Sequence, residues 1–96
     1  MKKREIITGT YRITRNSDGM SYTGSTLDIY DRWDGYRKGD CHNPHFKRTL
    51  KKHGPDAFTW EILEIAPKGL SKEDLHNWLH EHERNWLQST DPKLLY

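Results

Sequence analysis

The tetrapeptide Asn16-Ser17-Asp18-Gly19 constrains the fold of this chain more than any other feature. Asn, Asp and Ser side chains bond back to nearby backbone in turns, and glycine takes up positive φ without a steric penalty. Segments rich in β-formers flank it, Ile6 to Thr14 before and Met20 to Gly24 after. Two such strands joined by so short a connection predict an antiparallel hairpin. Side chains alternate along a strand, and paired residues point to the same face. Any even-length loop therefore puts Tyr11 and Tyr22 on one face of the sheet, whereas an odd loop or a bulge would separate them.

Beyond the hairpin, Ser25 or Thr26 offers an N-cap for a helix running through Leu27, Ile29, Trp33 and Tyr36. Asp28, Arg32 and Tyr36 recur at four-residue spacing and so share a helix face. A second helix is signposted at both ends, by Asn43 as N-cap, Pro44 as first helical residue and Gly54 as stop. Phe58 to Ile65 alternates as a third strand, and Pro67-Lys68-Gly69 breaks the chain. Ser71 caps a last helix whose apolar stripe is Leu75, Trp78, Leu79, His82 and Trp86. Glu83 falls inside that apolar arc, while Glu81 points away from it. A carboxylate on a buried face must be neutralised, paired or bound to a metal. A structural salt bridge with Arg32 or a lysine is the plainer of those readings.

Ninety-six residues suffice for one domain, taken as 1–96, and a chain this short needs a tight core. Four Trp, five Tyr and two Phe supply the anchors for it despite 31% charged residues. The net charge of +2 is compatible with a nucleic-acid partner without demanding one. Basic residues cluster at Lys2-Lys3-Arg4 and again at Lys47, Arg48, Lys51 and Lys52. The single cysteine, Cys41, excludes an intramolecular disulfide and fits a reducing compartment, so a cytoplasmic location is expected. Nothing resembles a signal peptide, and no apolar run approaches the ~20 residues that span a bilayer. Cys41-His42-x-x-His45 holds three ligand types close together but has no fourth partner at zinc-site spacing.

Gly9-Thr10-Tyr11 and Tyr22-Thr23-Gly24, set either side of the turn, resemble the signature of the GIY-YIG endonucleases, with threonine at the middle of both halves. The resemblance continues through Asp31-Arg32-Trp33, His42-x-x-His45, Lys52-His53-Gly54, Phe58-x-x-Glu61-Ile62-Leu63-Glu64 and Glu83-Arg84-Asn85-Trp86-Leu87. It covers nearly the whole chain and looks closest to the catalytic domains of phage-type homing endonucleases. It implies an α/β fold (α+β in layer terms): a small, mainly antiparallel three-stranded sheet with three helices around it. The implied reaction is hydrolysis of DNA phosphodiesters by one divalent metal, Mg²⁺ with Mn²⁺ as substitute, held by Glu83.

In that reading Arg32 meets the charge developing on the phosphate. Tyr11 is the general base, and Tyr22 positions water or phosphate. A free phenol titrates near pH ~10, so such a base needs a cation close by. Tyr36 stands one turn after Arg32, where homing endonucleases often have His and other branches have Tyr. His42, Asn43, Lys47 and Lys51 are candidate DNA contacts, although His42 and Asn43 also suit a helix cap. The expected site is the sheet face that holds the two tyrosines, with Arg32 and Glu83 converging on it. A separate DNA-binding domain or partner would supply target recognition. The alternative is a noncatalytic nucleic-acid-binding module of the same fold. An enzyme of small phosphate esters is a third reading, weakened by the lack of a Gly-rich phosphate loop.

Overall fold

A computed structural model describes residues 6–96, so the Lys2-Lys3-Arg4 cluster lies outside the described residues. The hairpin forms as the turn chemistry dictates. Strand β1 (Gly9–Arg15) and strand β2 (Ser21–Thr26) pair antiparallel, with Tyr11 opposite Gly24 and Ile13 opposite Tyr22. Gly19 has φ 79°, and Asp18 accepts from the Met20 amide at 3.1 Å. With this register Tyr11 and Tyr22 share a face, as alternation predicts. Both strands sit further along the chain than their β-formers suggest, and β2 reaches Thr26 because pairing continues to Gly9↔Thr26.

That longer β2 moves the first helix. Helix α1 (Ile29–Arg37) is capped by Asp28, whose carboxylate accepts from the Asp31 amide at 3.2 Å. Ser25 and Thr26 are not the cap, because they are still strand residues, and Leu27 is an exposed linker residue. Helix α2 (Pro44–His53) starts and stops where expected: the Asn43 side chain accepts from the Phe46 amide, and Gly54 at φ 79° ends it. Strand β3 (Phe58–Ile65) follows a 3₁₀ turn, and helix α3 (Lys72–Gln88) is capped by Ser71, which accepts from the Asp74 amide.

The sheet order is β2-β1-β3, antiparallel throughout, which puts β1 with Tyr11 at the centre and β2 with Tyr22 at one edge. On one face Tyr11, Ile13, Tyr22 and Phe58 pack against Trp33 and Tyr36 of α1 and Phe46 of α2. Phe46 is fully buried and touches four rings, stacking on Tyr22 at a 4.9 Å centroid separation. Such aromatic pairs add about 0.5–1.5 kcal/mol each beyond their buried area.

Helix α3 covers the other face, where Arg12, Thr23, Ser25 and Glu64 point. Glu64 accepts from Trp86 Nε1 at 2.6 Å and lies 2.9 Å from His82 Nδ1. Arg12 lies over the Trp86 ring and donates to Thr90 at 2.8 Å. Among the described residues no helix is long and apolar enough to cross a membrane.

Candidate active site

The site straddles the edge strand β2. Tyr11 rises from central β1, and its ring crosses β2 at Gly24. A Cβ on Gly24 would stand 2.6 Å from the Tyr11 hydroxyl, so only glycine leaves that path open. Gly9 is excluded from substitution by backbone instead. The β1–β3 register shifts between Thr10 and Tyr11, and this brings the Glu64 carbonyl to 2.0 Å from where a Gly9 Cβ would be. Both glycines of the paired tripeptides therefore have a steric reason in the packing.

The Tyr11 and Tyr36 hydroxyl oxygens lie 2.5 Å apart in a buried hydrogen bond. The Tyr22 ring meets Tyr36 edge-on at 5.9 Å, and hydrogen bonding from Tyr36 works to lower the pKa of both neighbours. Burial outweighs that effect and raises all three phenols above the usual tyrosine range, Tyr36 furthest. Arg32, exposed on α1, lowers Tyr11 and Tyr22, and Glu83 raises both. Tyr36, Arg32 and Glu83 thus all lie within electrostatic reach of Tyr11 and Tyr22.

Glu83 arrives differently from the sequence-based expectation. Its helix packs on the face opposite the tyrosines, and its half-buried carboxylate comes to the edge of β2. There Ser25 Oγ donates to Glu83 Oε1 at 3.2 Å. Among the described residues Glu83 has no salt bridge, so the plainer reading of a carboxylate in the apolar arc does not hold. Ser25, expected as a helix cap, is instead the carboxylate's partner. No local signal marked it, since the contact spans 58 positions.

A lone carboxylate with one oxygen held by a hydroxyl suits a hard divalent cation, which prefers oxygen ligands and keeps most of its waters. Among the described residues no group of three or more His, Cys, Asp or Glu is placed to hold a metal, and this removes the zinc reading of Cys41-His42-x-x-His45. Cys41 is buried with its thiol toward the Asn43 carbonyl, and His45 packs edge-on against Tyr96.

The candidate DNA contacts divide. Asn43 has its side-chain oxygen committed to the α2 cap. His42 is exposed beside Arg32 in an open concavity of about 460 Å³. Lys47 and Lys51 border a separate groove between α1 and α2. All four tryptophans have packing or bonding partners within the fold: Trp33 is buried, Trp60 and Trp86 donate to the Pro55 carbonyl and to Glu64, and Trp78 stacks on His82 at 4.0 Å.

Residues 7–94 match the model of the GIY-YIG catalytic domain. The chain belongs to the GIY-YIG family. Two solved structures are similar in fold and sequence. One is the catalytic domain of the homing endonuclease I-TevI, at TM-score 0.64 and 27% identity over 84% of this chain and 85% of that one. The other is a glutamate-to-alanine variant of the catalytic domain of intron endonuclease I-TevI. It aligns at TM-score 0.66 and 28% identity, over 86% of this chain and 82% of that one. No curated protein is similar enough in sequence to count as a match. The three-stranded sheet with three helices is the architecture of these GIY-YIG catalytic domains.

Proposed function

We propose that this GIY-YIG domain is a metal-dependent DNA endonuclease of the homing or phage type, acting as a single catalytic domain over residues 1–96. The observation that carries this reading is that Glu83, held by Ser25 at the edge strand, lies within electrostatic reach of Tyr11 and Tyr22, although they come from opposite faces of the sheet. A noncatalytic binding module has no need of a carboxylate brought round to a cluster of phenols. A free thiol at Cys41 fits action in a cytoplasm, that of the host if a phage encodes the protein.

Each residue has a distinct task in the hydrolysis. Arg32 is exposed and permanently charged, and its fork of donors suits the two non-bridging oxygens of the scissile phosphate. Tyr11 takes the proton of the attacking water as that water's oxygen bonds to phosphorus. The bond to the leaving sugar oxygen breaks, and that oxygen takes a proton from solvent. Burial opposes ionisation of Tyr11, so the base works only when cationic charge is close, and Arg32 supplies part of it. Tyr36 keeps its own proton most firmly and donates to the Tyr11 oxygen as charge builds there. Tyr22, half-exposed, orients water or phosphate. Glu83 would hold the divalent ion, Mg²⁺ or Mn²⁺, which when bound supplies the remaining positive charge at the phosphate and the leaving oxygen.

The test is conversion of supercoiled plasmid at low salt with Mg²⁺, with Mn²⁺ and with EDTA. Nicked or linear product that requires metal and disappears in Glu83→Gln, with an unchanged circular-dichroism spectrum, is the expected outcome. Normal cleavage by Glu83→Gln in Mg²⁺ would sink the metal assignment.

A further inference from the structure

The two flanks of α1 differ in charge. On one side the concavity beside Arg32 is bordered by Asp28, Asp31, Asp34 and Asp40 together with the basic residues Arg32 and Lys38. On the other, a groove of about 310 Å³ opens between α1 and α2 with Arg37, Lys38, Lys47 and Lys51 at its rim. Arg37 is shared with Asp34 at 3.2 Å, whereas among the described residues Lys38, Lys47 and Lys51 have no ion-pair partner. A polyanion leaving the Tyr11–Tyr36 site meets mixed charge on the first side and a run of cations on the second, which draws it along the second.

The groove floor has a different chemistry from its rim. It is made by Tyr36, Cys41, Leu50 and Pro55. The groove therefore begins at Tyr36, which is hydrogen-bonded to Tyr11 inside the site. Its volume is at the small end of the roughly 300–1,000 Å³ usual for small-ligand clefts. The backbone of a paired duplex presents phosphates and sugars and keeps its bases stacked inside, so it would satisfy the lysines and leave the apolar floor against water. An unpaired nucleotide presents both a phosphate and an apolar ring face, a combination that single-strand-binding clefts exploit.

We propose that the groove between α1 and α2 seats one unpaired nucleotide of a DNA strand, its base on the apolar floor and its flanking phosphates on Lys38, Lys47 and Lys51. The proposal deepens the nuclease reading and rests on it for the identity of the strand. It makes this enzyme one that prefers a frayed or single-stranded segment beside the bond it cuts.

Fluorescence anisotropy in EDTA over a range of KCl tests it, with a labelled oligothymidylate and a blunt duplex of equal length as probes. In Lys47→Ala/Lys51→Ala the salt slope for oligothymidylate should flatten by about 1.4, at about 0.7 per single-strand phosphate contact, with the duplex slope unchanged. The two lysines are exposed, so the variant should keep the wild-type circular-dichroism spectrum. In the unaltered chain, bound oligothymidylate should slow the reaction of Cys41 with a small thiol reagent, and bound duplex should not.

Equal flattening for both probes, or no flattening for oligothymidylate, overturns the proposal, as does a Cys41 reaction rate indifferent to oligothymidylate. Plasmid cleavage separates this from the nuclease reading. A chain that cuts plasmid but shows no lysine-dependent oligothymidylate binding loses the groove alone. One that binds oligothymidylate through these lysines and never cuts loses the nuclease.

Discussion

At the scale of single residues, Gly24 decides whether the phenols can assemble. A methyl group there would lie 2.6 Å from the Tyr11 hydroxyl and 2.8 Å from its ring carbon Cζ, and the Tyr11 ring, 2% exposed, has no free space to retreat into. Gly24→Ala should therefore cost about 1–3 kcal/mol, as overpacking does, and should also break the Tyr11–Tyr36 hydrogen bond. Urea unfolding and plasmid cleavage together check this: stability should fall moderately while cleavage is lost. A variant with full activity would show that the ring does not need that path.

The tyrosines themselves were legible from the sequence, because strand alternation and the hairpin turn are local. The need for glycine opposite Tyr11 was not, since it depends on where a ring from another strand comes to rest. Ser25 was read as a cap for the same reason. Its hydroxyl suits either role, and only the arrival of α3 selects one.

At the scale of elements, the helices show where local chemistry suffices and where it does not. Asn43, Pro44 and Gly54 delimit α2 without help from elsewhere, and the structure keeps each in that role. Asn43→Ala should cost about 1 kcal/mol, the usual value of an N-cap side chain. For a domain of this size that corresponds to a melting temperature lower by about 4–8 °C, measurable by calorimetry. No change would mean that the Phe46 amide finds another acceptor.

For α1 three capping residues compete within four positions, and Asp28 prevails because β2 continues to pair up to Thr26. The position of Glu83 in the apolar arc of α3 was likewise readable. Which face of the sheet that helix covers was not. It is set by contacts of long sequence separation, such as Trp86 with Glu64 and Arg12 with Thr90.

At the scale of the whole molecule, three raised phenols at the centre of the fold couple stability to pH. Tyrosine in an unfolded chain titrates near pH ~10, and in the folded chain Tyr11, Tyr22 and Tyr36 all titrate higher. Below the unfolded value both states keep their protons, and the contribution is fully present. Above it the unfolded chain releases protons that the folded chain retains, so stability is lost as pH rises. The urea midpoint should be nearly flat between about pH 7 and 9 and fall steeply beyond pH ~10. Tyr36→Phe should make that fall shallower, because one buried phenol is gone. A midpoint that holds steady through this range would contradict the burial of the cluster.

The edge strand also ties catalysis to the arithmetic of one turn. Tyr22 and Ser25 leave β2 three positions apart and so point to opposite sides, one toward the phenols and the other toward the carboxylate. If the loop between β1 and β2 closed one residue early or late, the two would exchange sides. The phenol would then face α3, and the hydroxyl would face the side of the sheet that α1 and α2 cover. On the proposed mechanism, then, a cut strand also records that the hairpin closed in the alignment that keeps phenol and carboxylate on their own sides.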